Sequence, residues 1–409
     1  MDYRLQYEGV GEADLARSRP DRERRARVLA ATYDVEPPER GSVADVKAAE
    51  VLSRLRRNEH VGHVHHTVPR FLLQRWSEDE RVRVYSRVDG RFTVRKIGDL
   101  AIRDFYTFVA KDGSLDSSFE SILGMVEAAA APVLHRLLSP FGFAARLTPE
   151  DMFRLAQMVS FQAVRTPRRR REMQVQADWY FKTMAGGRLA DAKLEEITAV
   201  PHQNDLLKAS LPAAEKLFPF ILHRPLTLVS LDGPRLIIGD EPLVVHKDDE
   251  ALHLADCQVP HSGPVKQKQH RKRKSGSRGT RGNRQSSDIV HFAAGPPGGL
   301  GVAHELVLPI SPRCALWWGP LQDEPFLGPP VEVRLKGTDA ESFASLQNKA
   351  IARQALDWVV STPSDKSFQS LAFPEHEPLL RVCDSDSAAS RAINEVPAPL
   401  RPYRIGKHR

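Results

Sequence analysis

From residue 117 to 217 the apolar residues recur at helical spacing; from 225 to 318 they come in short β-rich runs. That order constrains the fold more than any other feature of the chain. SSFESILGMVEAAAAPVLHRLL (117–138) sets Phe119, Ile122, Val126, Ala129, Val133 and Leu137 on one arc, the stripe of a helix with one buried face. The next pattern opens with Thr148-Pro149-Glu150-Asp151: a cap residue, Pro in the first turn, and acids that suit the positive helix end. Further helices are predicted over 167–184, 189–199 and 203–217. PLTLVSL, RLIIG, PLVVH, IVHF, ELVLPI and CALWWG follow, separated by Gly, Pro and Asp, which are strand and turn signals. Helices grouped ahead of strands, not alternating with them, predict an α+β fold. It has a predominantly helical N-terminal and central block and a small, mostly antiparallel sheet in the middle and C-terminal half.

Other segments fit around this frame. RVRVYSR and RFTVRK alternate apolar and polar residues, and Asp89-Gly90 between them signals a hairpin. A last amphipathic helix is predicted over about 339–360, carrying Phe343, Leu346, Ile351, Ala355 and Trp358. LPISP (308–312) and Trp317-Trp318 read as strand and core. Residues 1–60 read as a charged helical arm, with Ser42 a cap residue. The main domain is placed at 61–375, and 376–409 reads as a loose, Pro- and charge-rich tail.

Hydrophobic residues make up 41% of the 409 and charged residues 27%, the balance of a soluble globular protein. No run of about 18 apolar residues suggests a membrane partner, and the start lacks a secretory signal pattern, so the cytoplasm is expected. Cys257, Cys314 and Cys383 lie far apart, which suggests neither a disulfide framework nor a Cys-based zinc site. The net charge of +7 is local. Residues 264–285 hold nine Lys or Arg and no acid; without them 50 basic residues face 52 acidic ones. Residues 264–287 are too polar to offset chain entropy by burial, and a disordered basic insertion is predicted. It is either a nucleic-acid or other polyanion contact, weakened by salt, or a tolerated surface insertion.

HVHHTVPRFLLQRW (63–76) places three histidines before an apolar helix. On a strand His63 and His65 share a face, a workable metal pair, and His66 is left as a candidate base. Thr67 or Val68 is the predicted cap and Pro69 the first helical residue, with Phe71, Leu72 and Trp76 buried. The structural alternative is that a histidine donates to a backbone carbonyl and orders this stretch. HHTVPR is also similar to the first strand of HNH-type ββα-metal nucleases, although 67–100 contains no Asn and no further His.

The motifs taken in order resemble the bacterial family of domain of unknown function 4238 over roughly residues 61–362. They are His65-His66-x-Val68-Pro69-Arg70 with Leu72 and Trp76, Phe105-Tyr106, Phe119-Glu120 with Glu127, and Gln162 with Arg165-Thr166-Pro167. IIGDEPLV (237–244), LPISP and Asn348 follow. The family typically has Thr-Ser-Asp-x-Pro where this chain has Ile-Gly-Asp-Glu-Pro. The resemblance implies no activity. It implies that His65, His66, Glu120, Glu127, Gln162, Arg165 and Asp240 converge.

Glu120 and Glu127 lie two helical turns apart at the edge of the apolar arc, either a solvated flank or the rim of a polar pocket. Arg168 to Arg171 crowd the first turn of a helix, against its dipole, which suggests an anion there: a phosphate, or carboxylates. Pairing with Glu172 is the alternative. Asp240 is expected to project from a strand end, or to be a plain turn residue. Together these residues suggest a metal-dependent hydrolase of phosphodiester or other phosphate substrates. His66, Glu120, Glu127 and Asp240 would be catalytic, with Gln162, Arg165, Arg168 and Arg169 on the substrate. His63, His65 and Asp240 would hold Mg, Mn or Zn. The alternatives are a non-catalytic nucleic-acid- or protein-binding protein with a buried polar network, and a purely structural role.

Overall fold

The structure is a computed structural model. It describes residues 64–103, 105–109, 115–139, 147–185, 201, 203–246, 300–301, 303–375 and 379. The expected arm, the 189–199 helix, IVHF, the basic insertion, His63 and nearly all of the tail lie outside them.

The α+β expectation holds. Strand β1 (Val64–His65) leads into a one-turn helix α1 (Arg70–Leu73). The hairpin β2 (Arg81–Ser86) and β3 (Arg91–Lys96) follows, closed as the Asp89-Gly90 signal requires, with Gly90 at φ 62°. Three short strands come next: β4 (Ile102–Arg103), β5 (Phe108–Val109) and β6 (Leu115–Asp116). The helical block is α2 (Ser118–Leu137), α3 (Pro149–Val164), α4 (Pro167–Ala185) and α5 (Gln203–Leu222). Thr148 caps α3: its hydroxyl accepts from the Asp151 N–H, and the Asp151 carboxylate accepts from the Thr148 N–H. Strands β7 (Leu226–Leu231), β8 (Ile238–Gly239), β9 (Val244–His246), β10 (Glu305–Ser311), β11 (Cys314–Trp318) and β12 (Val331–Leu335) precede α6 (Gly337–Gln354) and β13 (Trp358–Ser361).

The strands form two principal sheets, one more than expected. The five-stranded sheet runs β12-β7-β11-β10-β9, antiparallel except for the β12–β7 pair. The four-stranded sheet runs β3-β2-β13-β8 and is antiparallel. Alternation along the strands gives the first sheet two apolar faces. Leu226, Leu228, Leu306, Leu308, Ile310, Leu316 and Trp318 join the core that contains α2, α3 and α5. Val229, Leu231, Val307, Ala315 and Trp317 join a second core with Phe343, Ala344 and Ile351 of α6. The adjacent Trp317 and Trp318 therefore belong to different cores.

Two local expectations are corrected. Pro69 is itself the cap residue of α1 (φ −50°, ψ 133°), and the segment turns to 3₁₀ geometry at Gln74–Trp76. Trp76 still anchors it, donating Nε1–H to the Leu236 carbonyl at 2.8 Å. The last helix stops at Gln354, and Trp358 starts a strand. The apolar spacing runs on past 354, but the chain is turned out of the helix by bonds to Asp240.

Candidate functional site

His65 is fully buried, and its Nδ1 accepts the Tyr106 N–H at 2.8 Å. A nitrogen that accepts carries no proton, so neutral His65 keeps its proton on Nε2. Tyr106, buried against His65 and Phe119, donates its hydroxyl to the Arg165 carbonyl at 2.7 Å. Burial holds that phenol well above its ordinary range. Arg165 closes α3, and its guanidinium points back across the helix. Its Nε donates to Gln162 Oε1 at 2.9 Å and its Nη1 to Glu127 Oε1 at 2.5 Å. Gln162 in turn donates Nε2–H to the Thr67 carbonyl at 3.0 Å. This chain of bonds ties the β1 segment to the middle of α2 and the C-terminal end of α3.

Three polar atoms within this region are buried without a partner: His66 Nε2, Thr67 Oγ1 and Glu120 Oε2. Burial, then the nearby Arg70 cation, push the His66 pKa below its ordinary value; Glu127 acts in the opposite sense. Burial raises Glu120 to about 7, with Arg165 opposing and Glu127 adding to the rise. His66 and Glu120 both feel the Glu127–Arg165 ion pair. A carboxyl near 7 and a largely neutral imidazole are the forms that exchange protons near neutral pH. Six of the seven residues expected to converge therefore do so: His65, His66, Glu120, Glu127, Gln162 and Arg165.

Asp240 belongs to a second network. It is fully buried and accepts the N–H groups of Leu356 (3.0 Å) and Asp357 (2.6 Å). Its own N–H reaches the Trp358 carbonyl at 3.2 Å. Burial and the Asp357 charge raise it to about 7, against those two N–H groups and Arg87. These bonds make Asp240 the holder of the turn from α6 to β13. Its neighbour Gly239 lies under α6, where a Cβ would meet Ala355 and Ile351 at 3.2 Å.

The arginine-rich first turn of α4 finds its anions inside the protein. The Arg168 N–H donates to Glu241 Oε1 at 3.1 Å, and the Thr166 side chain also bonds that carboxylate. Arg168 Nε reaches Glu172 at 3.0 Å and its Nη1 the Gln354 carbonyl at 3.2 Å; Arg169 reaches Glu172 at 3.4 Å. A carboxylate on a helix N-terminus is favourable. Arg168 and Arg169 are thus engaged by protein partners instead of facing a substrate.

Of the expected metal set His63, His65 and Asp240, His63 lies outside the described residues. His65 Nδ1 and both oxygens of Asp240 are occupied by backbone N–H groups. Among the described residues no three His, Cys, Asp or Glu come together as a set able to hold a metal ion.

Sequence reasoning gave no role to Tyr106, the hub of the first network, or to Glu241. Tyr106 carried no motif signal beyond the Phe-Tyr pair. Glu241 stood in plain view between Asp240 and Pro242.

Residues 64–256 match the model of a family described as "Protein of unknown function (DUF4238)". The match runs from β1 through Asp240, and LPISP and Asn348 lie beyond it. No curated protein and no solved structure matches the chain.

Proposed function

We propose that the chain, whose residues 64–256 match a family described without an activity, is a phosphate-ester hydrolase. His66 and Glu120 exchange the protons, and Arg165 with Glu127 orders the site. The observation that carries this reading is the placement of two unpartnered groups, His66 Nε2 and Glu120 Oε2, around the Arg165–Glu127 ion pair. Leaving such atoms buried costs about 1–3 kcal/mol each, which suits groups kept open for a ligand.

In this reading His66 takes a proton from the attacking water. Protonated Glu120 gives one to the leaving oxygen, and the guanidinium of Arg165 faces the phosphate. Where a divalent ion (Mg, Mn or Zn) takes part, Glu127 would be the available donor, since Glu120 keeps its proton as the acid. Mg²⁺ is commonly bound by one or two carboxylates together with substrate phosphate, which needs no ready-made protein cage.

The test is turnover of aryl phosphate mono- and diesters, RNA and DNA, with each ion and with chelator. Activity in the wild type that disappears in His66→Ala and Glu120→Gln, both still folded, supports the proposal. Its pH profile should fall on the acid side as His66 gains a proton and on the alkaline side through about 7 as Glu120 loses one. If no substrate is turned over and both variants only lower the Tm, the non-catalytic reading stands. The bonds of Tyr106 and Gln162 to backbone carbonyls, and of Arg165 to the Gln162 and Glu127 side chains, favour it. Polyanion contact through 264–285 is a separate part of the proposal. Deleting those residues should weaken RNA or DNA binding and flatten its salt dependence; unchanged binding would remove them from any such role.

A further inference from the structure

Tyr106 and Arg165 also border an open cleft walled by Phe105, Val164, Met173, Leu206 and Leu207. The polar groups at its wall include Thr166, Ser210 and Arg170. Thr166 and Ser210 are already committed: the Thr166 hydroxyl accepts the Arg169 N–H, and Ser210 donates to the Leu206 carbonyl. Arg170 is different. Its Nη1 donates to the Phe105 carbonyl at 2.9 Å, and its guanidinium carbon sits 4.3 Å above the centre of the Phe105 ring. Among the described residues no carboxylate pairs with it, although its neighbours Arg168 and Arg169 share Glu172. Arg170 is half-buried, and a cation partly withdrawn from water gains from an anionic partner, so on this apolar wall it is a place for one.

We propose that this cleft binds a small amphipathic carboxylate, its anionic end on Arg170 and its apolar part against Phe105, Met173, Leu206 and Leu207. Arg170 stays charged at neutral pH even though burial lowers it to about 10. Its ring and carbonyl contacts fix the guanidinium plane, which favours a planar carboxylate partner. Size sets the upper limit. The space is about 260 Å³ only when the open solvent at the mouth is counted, and the enclosed part is far smaller, so a ligand must be small and lie partly in the mouth. A nucleotide or a large cofactor is too big, and a bare oxyanion would leave the apolar wall wet. The site is independent of the proposed hydrolysis, since it uses neither His66 nor Glu120.

Calorimetric titration of the full-length chain with benzoate and hexanoate tests this, with hexanol and inorganic phosphate as comparison probes. Both carboxylates should bind more tightly than either comparison probe. Arg170→Met should weaken them roughly ten-fold or more, as loss of a charge-assisted bond implies. Arg170→Met also removes the contact to Phe105 and could damage the fold. Met173→Trp, which fills the cleft and leaves Arg170 in place, is therefore the second variant and should also abolish binding. Absence of carboxylate binding by the wild type overturns the proposal. So does phosphate binding as tightly as hexanoate, or carboxylate binding that survives both substitutions.

Discussion

His66 and Glu120 show how a residue's chemistry is set by what surrounds it. Arg70 is exposed and, after burial, is the largest influence holding His66 down. Arg70→Ala should therefore raise the His66 titration midpoint, read by NMR, and change stability by less than about 0.5 kcal/mol. Glu120 works on stability with the opposite sense to an ordinary carboxylate. Its folded pKa, about 7, lies above the unfolded value near 4.5. The folded state holds the extra proton between those values, so stability is full below about 4.5 and declines as pH rises through about 7. Glu120→Gln should remove that decline, and the two melting curves should diverge most above pH 7. A variant that keeps the wild-type slope would show that Glu120 is not the group responsible. His65 and His66 stood side by side in a sequence that suggested metal binding or structure. The structure separates them: one nitrogen of His65 orders Tyr106, while His66 keeps an unpartnered nitrogen.

Among the elements, the turn from α6 to β13 depends most on a single side chain. Asp240 accepts two backbone N–H groups there, and each would be left unpaired and buried in Asp240→Ala. At about 1–3 kcal/mol per lost partner, a loss of roughly 2–6 kcal/mol is expected by chemical denaturation. Apolar spacing alone carried the predicted helix to residue 360, because Ala355 and Trp358 continue the helical stripe. A carboxylate more than a hundred residues away overrides that spacing. The boundaries of α3 were legible for the opposite reason: Thr148, Pro149 and Asp151 act within one turn. The arginines of α4 are intermediate. Their conflict with the helix dipole was visible, and so was Glu172 as a partner. The capping carboxylate, Glu241, comes from a distant loop.

At the scale of the whole molecule, late segments complete early ones. Strand β13 lies between β2 and β8, and β10 and β11 lie between β7 and β9. The family match ends at residue 256, before β10, β11, β12, α6 and β13. A fragment of 64–256 would leave β7 without either neighbour and β2 paired with β3 alone. Expressed by itself it should show no cooperative thermal transition and should bind a hydrophobic dye; a sharp two-state melt would refute this. The same long-range closure brings Asp240 to Leu356 and Asp357, and Trp76 to Leu236.

What the sequence determined by itself is whatever acts over a few residues. The α+β class follows from period and turn residues, the hairpin from Asp89-Gly90, and the start of α3 from its cap. The helical block follows from apolar spacing between 117 and 217. The first polar network was legible as a set of residues that the family resemblance brings together, with Arg165 expected on a substrate. Only the tertiary structure decided which residues of that set meet. Hydrogen bonds and ion pairs form across elements whose separation in the chain says nothing of their distance in space. It therefore took the packed core to place Tyr106 between His65 and Arg165, and to give Asp240 to a backbone turn.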